Sequence, residues 1–285
     1  IVVAGGGGGG VIIGRYCAGG RPIGFGPQEK TRSLATGTDC SPGLAVRRDG
    51  AVVVACGDIV ATLRPNGSVQ SLTSVAGAHF DSLAIDEVGR TVAAGRVLLR
   101  LNADGRINGS FARDALPSAA TSVAIDGGRI LLVAGGSILG YDGDGTPDTL
   151  FGSGGVASFA GFTATSIGTY SHRIVAGGSR GDQAAVVRYS AGGAVDTSFG
   201  TSGIAAWGPD QDMMREVVVA LGMRAGGSID TAVLAVGKPD IYNSTENSER
   251  WLVQRVSTTG AVGGSGDGPT RYIDPTEECF QEFPV

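Results

Sequence analysis

The sequence predicts an all-β chain, a β-propeller of six four-stranded blades. Three observations lead there: a phrase that returns six times, the spacing of its copies, and a glycine-rich composition with no long amphipathic helix. In each copy an apolar strand closes on Ala-Gly or a variant, a second strand follows, and a glycine turn comes next. The fullest copy is residues 173–203, RIVAGGSRGDQAAVVRYSAGGAVDTSFGTSG. The others begin at Ile1, Ala51, Arg90, Arg129 and Thr231. The glycines closing the first strand are Gly5, Gly57, Gly95, Gly135, Gly177 and Gly237, with gaps of 52, 38, 40, 42 and 60 residues. A period of about 40–50 residues is the length of one four-stranded blade. Five and seven are the neighbouring counts, because the gap before Gly237 has room for a degenerate unit.

Each element has its own local signal. A short alternating strand precedes most copies: GLAVRRDG at Gly43, SLAIDEVG at Ser82, SVAIDGG at Ser122 and SIGTYSH at Ser166. Each runs into a turn, so a unit opens as a hairpin. The third strand is VLLRL, ILGYD or AVVRY, and the tail after the glycine turn is expected to supply the fourth. DMMREVVVALGM, the most helix-like stretch, reads as a β-rich run with a charged start. Blades packed on both faces need apolar, small strands, and Val, Ala, Ile and Gly fill that role here. With 50 glycines and 42% hydrophobic residues the chain has turns in quantity and too much apolar content for disorder.

In the fullest copies the tail reads Gly-x-(Val/Ile)-Asp-Thr-x-Phe-Gly. It is carried by Gly193, Val195, Asp196, Thr197, Phe199 and Gly200, then by Gly145, Asp148, Thr149, Phe151 and Gly152, and in part by Gly105, Asn108 and Phe111. This phrasing resembles the delta-sixty repeat family of bacterial β-propeller proteins. The resemblance covers about half the chain. It implies a propeller of a secreted or surface protein, and it carries no catalytic residues. The residues themselves say more. Glycine makes the turn, Asp caps it by accepting from following amides, and Phe anchors the outer strand between blades.

The chain opens on Ile1, as a processed or partial chain does, and enters its first unit at the second strand. Closure is therefore expected from the C-terminal segment, residues 270–274, pairing with the first blade. A single propeller domain would span 1–274, with 275–285 packed outside it. Four cysteines, Cys17, Cys40, Cys56 and Cys279, fit two disulfides in any of three connectivities. If Cys279 reaches the first or second blade it staples the closure. The alternative is four buried thiols, foremost Cys56, which stands where other copies have alanine.

Net charge of −5 argues against nucleic acid, and no apolar run is long enough to span a membrane. Asp142-Gly-Asp144-Gly-Thr-Pro-Asp148 has the alternating hard oxygens of part of a calcium loop, the one cofactor the sequence offers. Gly140, however, holds the first ligand position, and a plain Asp/Gly turn explains the run. Gly5–Gly10 satisfies a dinucleotide fingerprint literally, but β-branched VIIGRYCAGG follows it where a helix is required. A flexible inter-strand loop is expected instead. His79 with Ser265 gives a superficial protease likeness, which Gly264 before the serine contradicts. His79 and His172, with Asp81 and Tyr170 nearby, lie in equivalent pre-strand regions and read as satisfied surface histidines. The sequons at Asn66 and Asn108 are explained by turn chemistry, and a third lies at Asn243.

Residues 24–42, 203–215 and 238–250 exceed what the repeat requires. Loops at the ends of a propeller are where partners bind. Trp207, Asp210, Met213 and Met214 in the second segment, and Asp240, Tyr242, Asn243 and Glu246 in the third, are the expected contacts. The sequence thus points to an extracellular, periplasmic or cell-surface propeller acting as a non-catalytic binding or assembly module for a protein or glycan partner. The alternatives are a propeller hydrolase or lyase acting on a sugar, lactone or glycan through central-channel carboxylates, and a structural subunit of a larger cell-surface complex. No catalytic residue is nominated.

Overall fold

Chain-local antiparallel pairing builds every described element. The computed structural model describes residues 2–17, 22–25, 31–36, 40–112, 115–209, 213–237, 249–263 and 271–273, and among them there is no helix. The first sheet holds β1 (Val2–Gly7), β2 (Gly10–Tyr16), β3 (Pro22–Ile23) and β4 (Thr31–Ala35), with β1, β3 and β4 all paired to β2. The second is β5 (Gly43–Val46), β6 (Val52–Cys56), β7 (Ile59–Leu63) and β8 (Val69–Ser74). The third has three strands, β9 (Ser82–Ile85), β10 (Thr91–Ala94) and β11 (Leu98–Leu101). The fourth is β12 (Ala120–Asp126), β13 (Arg129–Ala134), β14 (Ser137–Tyr141) and β15 (Val156–Ala157). The fifth is β16 (Thr163–Tyr170), β17 (Arg173–Arg180), β18 (Gln183–Tyr189) and β19 (Ile204–Trp207). The sixth is β20 (Met213–Met223), β21 (Ile229–Gly237), β22 (Glu249–Val256) and β23 (Arg271–Ile273).

The inner strands are continuous apolar runs because both their faces are covered. All of β6, β7, β10 and β11 is buried, whereas the outer β8 alternates. Two compact units emerge, residues 1–130 with 142–146 and residues 131–141 with 147–278, the boundary falling within β13. In the first unit β6 divides its side chains between two cores. Val52 and Val54 join Val11, Ile13 and Leu34, while Val53 and Ala55 join Phe80, Leu83, Leu99 and Leu101. In the second unit Val175, Val186 and Phe199 pack with Val218, Ile229 and Val233.

The turn tail has one geometry in three copies. Asn108, Asp148 and Asp196 each accept from the amide two residues on, at 3.0, 3.0 and 3.1 Å. Their own amides donate to the carbonyls of Arg100, Gly140 and Arg188, so the tail folds back on the third strand. Phe111, Phe151 and Phe199 are buried behind it. The amide after each Phe then reaches the next repeat. Ala112 donates to Asp144, Gly152 to Gly192 and Gly200 to Thr259, each at 2.8 Å. Arginines make the same step. Arg15 Nη1 donates to the Pro65 carbonyl at 2.8 Å, Arg47 Nη1 to Ala103 at 2.7 Å, Arg100 Nη1 to Gly143 and Arg188 Nη1 to Thr258. Every one of these four acceptors lies two residues before a glycine with φ between 82 and 91°. Only that left-handed residue turns the carbonyl row toward the preceding sheet without a Cβ clash.

Three expectations are corrected. The tail does not form the fourth strand. It lies inside a connection of residues 142–155 and 190–203, fourteen in each case, and the fourth strand follows. The C-terminal segment does not complete the first sheet. Trp251 pairs with Ile273 and Val253 with Arg271, so β23 is the fourth strand of its own sheet. Finally, Gly5–Gly10 is no flexible loop. It ends β1 and begins β2, with only Gly8 and Gly9 in the turn, at φ of 60 and 74°. Positive φ at both central residues is what a two-residue hairpin with native twist demands.

Replacing Phe199 with Ala is expected to cost about 3–5 kcal/mol in urea unfolding, because the ring leaves a closed core. Leu150→Ala, at a side chain 90% exposed, is expected to change stability by less than about 0.5 kcal/mol. Equal effects at the two sites would contradict the assigned burial. The Ser198 hydroxyl, helped by Arg188 and the Ser198 amide, holds the Asp196 carboxyl below its usual pKa against the opposing effect of burial. Its stabilisation is therefore fully present above the unfolded value of about 3.9 and is lost as pH falls through the lower folded value. The stability gap between wild type and Asp196→Asn should be constant near neutrality and shrink below about pH 4.

Candidate functional site

The sixth sheet carries Met213 and Met214 at the start of β20. Met213 pairs with Gly237, and Val236 pairs with Glu249. The start of β20, the end of β21 and the start of β22 thus lie side by side. Met214 is 50% exposed and Trp251, paired with Leu234, is 40% exposed. Trp251 was not among the sequence candidates. Its copy reads as an ordinary inner strand, and only the register shows that it stands uncovered.

The other nominated residues divide. Trp207 and Met213 belong to strands rather than to a loop. Trp207 pairs with Ala184 and packs partly buried on the core of the second unit, and Met213 is buried. The reason is the fourteen-residue connection, which makes Ile204–Trp207 a required strand and shortens the segment between sheets to residues 208–212. Asp210, Asp240, Tyr242, Asn243 and Glu246 lie outside the described residues, as does Cys279.

The calcium candidates serve their turns. Asp144 accepts from the Thr146 amide at 2.9 Å and hydroxyl at 2.7 Å, and the hydroxyl bond foremost lowers its pKa. Asp148 is buried and caps the Leu150 amide. The Asp142 carbonyl accepts from Gly145. Among the described residues no group of three His, Cys, Asp or Glu side chains is gathered as metal ligands would be. The sequon residues act alike: Asn66 accepts from the Ser68 amide and hydroxyl, and Asn108 from those of Ser110.

His79 and His172 are turn residues with φ of 46 and 59°. Asp58 takes the amides of Gly77 at 2.9 Å and His79 at 3.2 Å, and these bonds lower its pKa. Burial raises the pKa of Asp81, against the opposing charge of His79. Ser265 lies outside the described residues.

Cys56, first among the candidate thiols, is instead bonded to Cys40, with a Cα separation of 5.5 Å. The bond ties the segment entering the second sheet to the end of β6, across 16 residues of sequence. Cys17 is partly buried at the end of β2. Converting both Cys40 and Cys56 to Ala is expected to lower stability by about 3 kcal/mol in urea unfolding, the loop entropy that a cross-link of this span removes from the unfolded chain.

No protein family matches the chain, and no curated protein matches it in sequence. Solved structures do. BamB from Moraxella catarrhalis aligns at 14% identity over 77% of this chain and 70% of its own, with a TM-score of 0.48. A Bacteroides caccae protein of unknown function aligns at 12% identity over 92% of this chain and 91% of its own, with a TM-score of 0.57. The second likeness shows a shared all-β fold along nearly the whole length of both chains.

Proposed function

We propose that the six sheets are blades of one β-propeller spanning residues 1–274, built on repeats of the delta-sixty kind, and that the protein is a non-catalytic binding module for a protein partner. The observation that carries this reading is the convergence at one end of the sixth sheet. There the start of β20, the end of β21 and the start of β22 lie side by side, and Met214 and Trp251 of these strands are exposed. Aromatic and Met side chains are enriched at interfaces, where Trp presents a large rigid apolar area and Met an adaptable one. The staples between repeats hold the strands beneath them rigid, so the contact loses little entropy. The Cys40–Cys56 bond supports an oxidising compartment, outside the cytoplasm.

Photo-crosslinking residues placed at Met214 and at Trp251, in the cells that make the protein, are expected to capture the same partner. Asp at either position should abolish capture from the other. Leu72, 57% exposed on β8, serves as the control. Capture at Leu72 as strong as at Met214 and Trp251, or no capture at either nominated position, would overturn the assignment.

A further inference from the structure

We propose that Asn108 is a self-modifying site: its side-chain amide is lost spontaneously after folding, and the aspartate left behind gives Arg100 the ion pair it lacks. The repeat shows what is missing. Arg100 and Arg188 are penultimate in β11 and β18. Both lie over the tail Phe, at 4.8 and 4.7 Å from the ring centroid, and both reach a carbonyl of the next turn. The Asn108 and Asp196 amides donate to the carbonyls of these two arginines at 2.8 and 2.9 Å. Asn108 and Asp196 therefore meet their arginines in one backbone frame.

Asp196 uses both of its oxygens. Oδ1 accepts from the Ser198 amide and hydroxyl, and Oδ2 accepts from Arg188 Nε at 2.8 Å. An amide cannot do both. Asn108 Oδ1 takes the Ser110 amide at 3.0 Å and hydroxyl at 2.7 Å, which leaves Nδ2, a donor, in place of the second oxygen. Arg100 is 8% exposed, and its buried Nε has no acceptor. A desolvated guanidinium N–H without a partner is unfavourable, and a carboxylate at residue 108 would satisfy it from within the fold.

The next residue opens a route to that carboxylate. Gly109 stands where the fourth and fifth sheets have Thr149 and Thr197. No backbone demand explains the glycine: its φ is not left-handed, and a Cβ there would meet nothing within 4 Å. The missing side chain instead uncovers the Gly109 nitrogen for attack on Asn108 Cγ. Gly109 and Ser110 are exposed, so water has access. The two Ser110 donors already sit on Oδ1, where negative charge gathers in the tetrahedral intermediate. The nitrogen bonds to Cγ, the Cγ–Nδ2 bond breaks, and ammonia leaves with the proton from the Gly109 nitrogen. Water then adds across the N–Cγ bond of the resulting succinimide. Its hydroxyl goes to Cγ and a proton returns to the nitrogen, restoring the peptide with aspartic acid, which ionises. Opening at the other ring carbonyl gives isoaspartate. Arg100 favours the first opening by pairing with the carboxylate that forms at Cγ.

Asn66 is the internal comparison. It has the same Asn-Gly-Ser sequence and takes the same two bonds from Ser68. Arg64 beside it is exposed and already donates to Ser68 and Val69.

The test is incubation of the whole chain at neutral pH in isotopically labelled water. Mass spectrometry with electron-transfer fragmentation then separates aspartate from isoaspartate. Asn108 should take up label and give mainly aspartate, whereas Asn66 and the free peptide RINGSFA should give mainly isoaspartate. The converted chain and Asn108→Asp should both melt at least about 2 °C above the fresh chain. Pairing lowers the folded pKa of the new carboxyl, so this gain is present above the unfolded value of about 3.9 and is lost as pH falls through the folded one. Gly109→Thr should stop label uptake, and Ser110→Ala, one donor fewer on the intermediate, should slow it by at least about tenfold. Either variant alone decides the route if the other fails to fold. No label at Asn108, isoaspartate in the free-peptide ratio, uptake undiminished in a folded variant, or an Asn108→Asp chain no more stable than wild type overturns the proposal.

Discussion

The structure depends on a donation that runs from one repeat to the next. Backbone amides after the tail Phe, and the arginines Arg15, Arg47, Arg100 and Arg188, give their protons to carbonyls in the glycine turn of the following repeat. Apolar packing alone would let sheets slide over one another, because small Val and Ala side chains fit many registers. A directional bond to a carbonyl fixed by a left-handed glycine admits one register. The arginine also covers the Phe beneath it, 4.7 Å from the Phe199 centroid and 4.8 Å from that of Phe111. One side chain thus links two sheets and closes a core. Such interactions are between nearest neighbours, and stability in this kind of chain approximates a sum of repeats and their junctions.

The repeats vary in how completely they make the junction. Gly140 occupies the arginine position in the fourth sheet, and a Cβ there would strike Phe151. Phe151 therefore fills space that an arginine takes in the fifth sheet. Asn108 keeps the turn but gives up the carboxylate. These substitutions leave the backbone geometry intact, since each tail retains its Asx cap and its amide bond to the next repeat. What changes is side-chain chemistry at the junctions, where a repeat protein can acquire individual sites without disturbing its scaffold.

Much of the fold was legible in the sequence because its signals are local. Glycine turns, short β-branched runs and the Asp cap at Asp196 each declare themselves within a few residues. From Met213 to Met223 the DMMREVVVALGM run is a strand, β20, as its pattern indicates. The arginine junctions were hidden for a physical reason: their acceptors are backbone carbonyls, which have no side-chain identity to read. Arg188 in VVRY looks like an ordinary solvated strand residue until its partner is seen across 70 positions. The placing of Trp207 and Met213 in loops failed because the tail was taken for the fourth strand. Two of the candidate contacts became structural, and the uncovered Trp251 was overlooked.

The strand order has a consequence for how the chain is made. Each sheet draws its strands from one uninterrupted stretch of sequence, including the sixth, which is completed by its own β23. No described sheet waits for a distant segment. A nascent chain emerging at about 5–20 residues per second can therefore finish one sheet before the next has left the ribosome. Where a sheet carries a bridging arginine, as the first, second, third and fifth do, that side chain is then already presented when its acceptor turn appears. Strand order of this kind permits assembly in the direction of synthesis, one sheet after another.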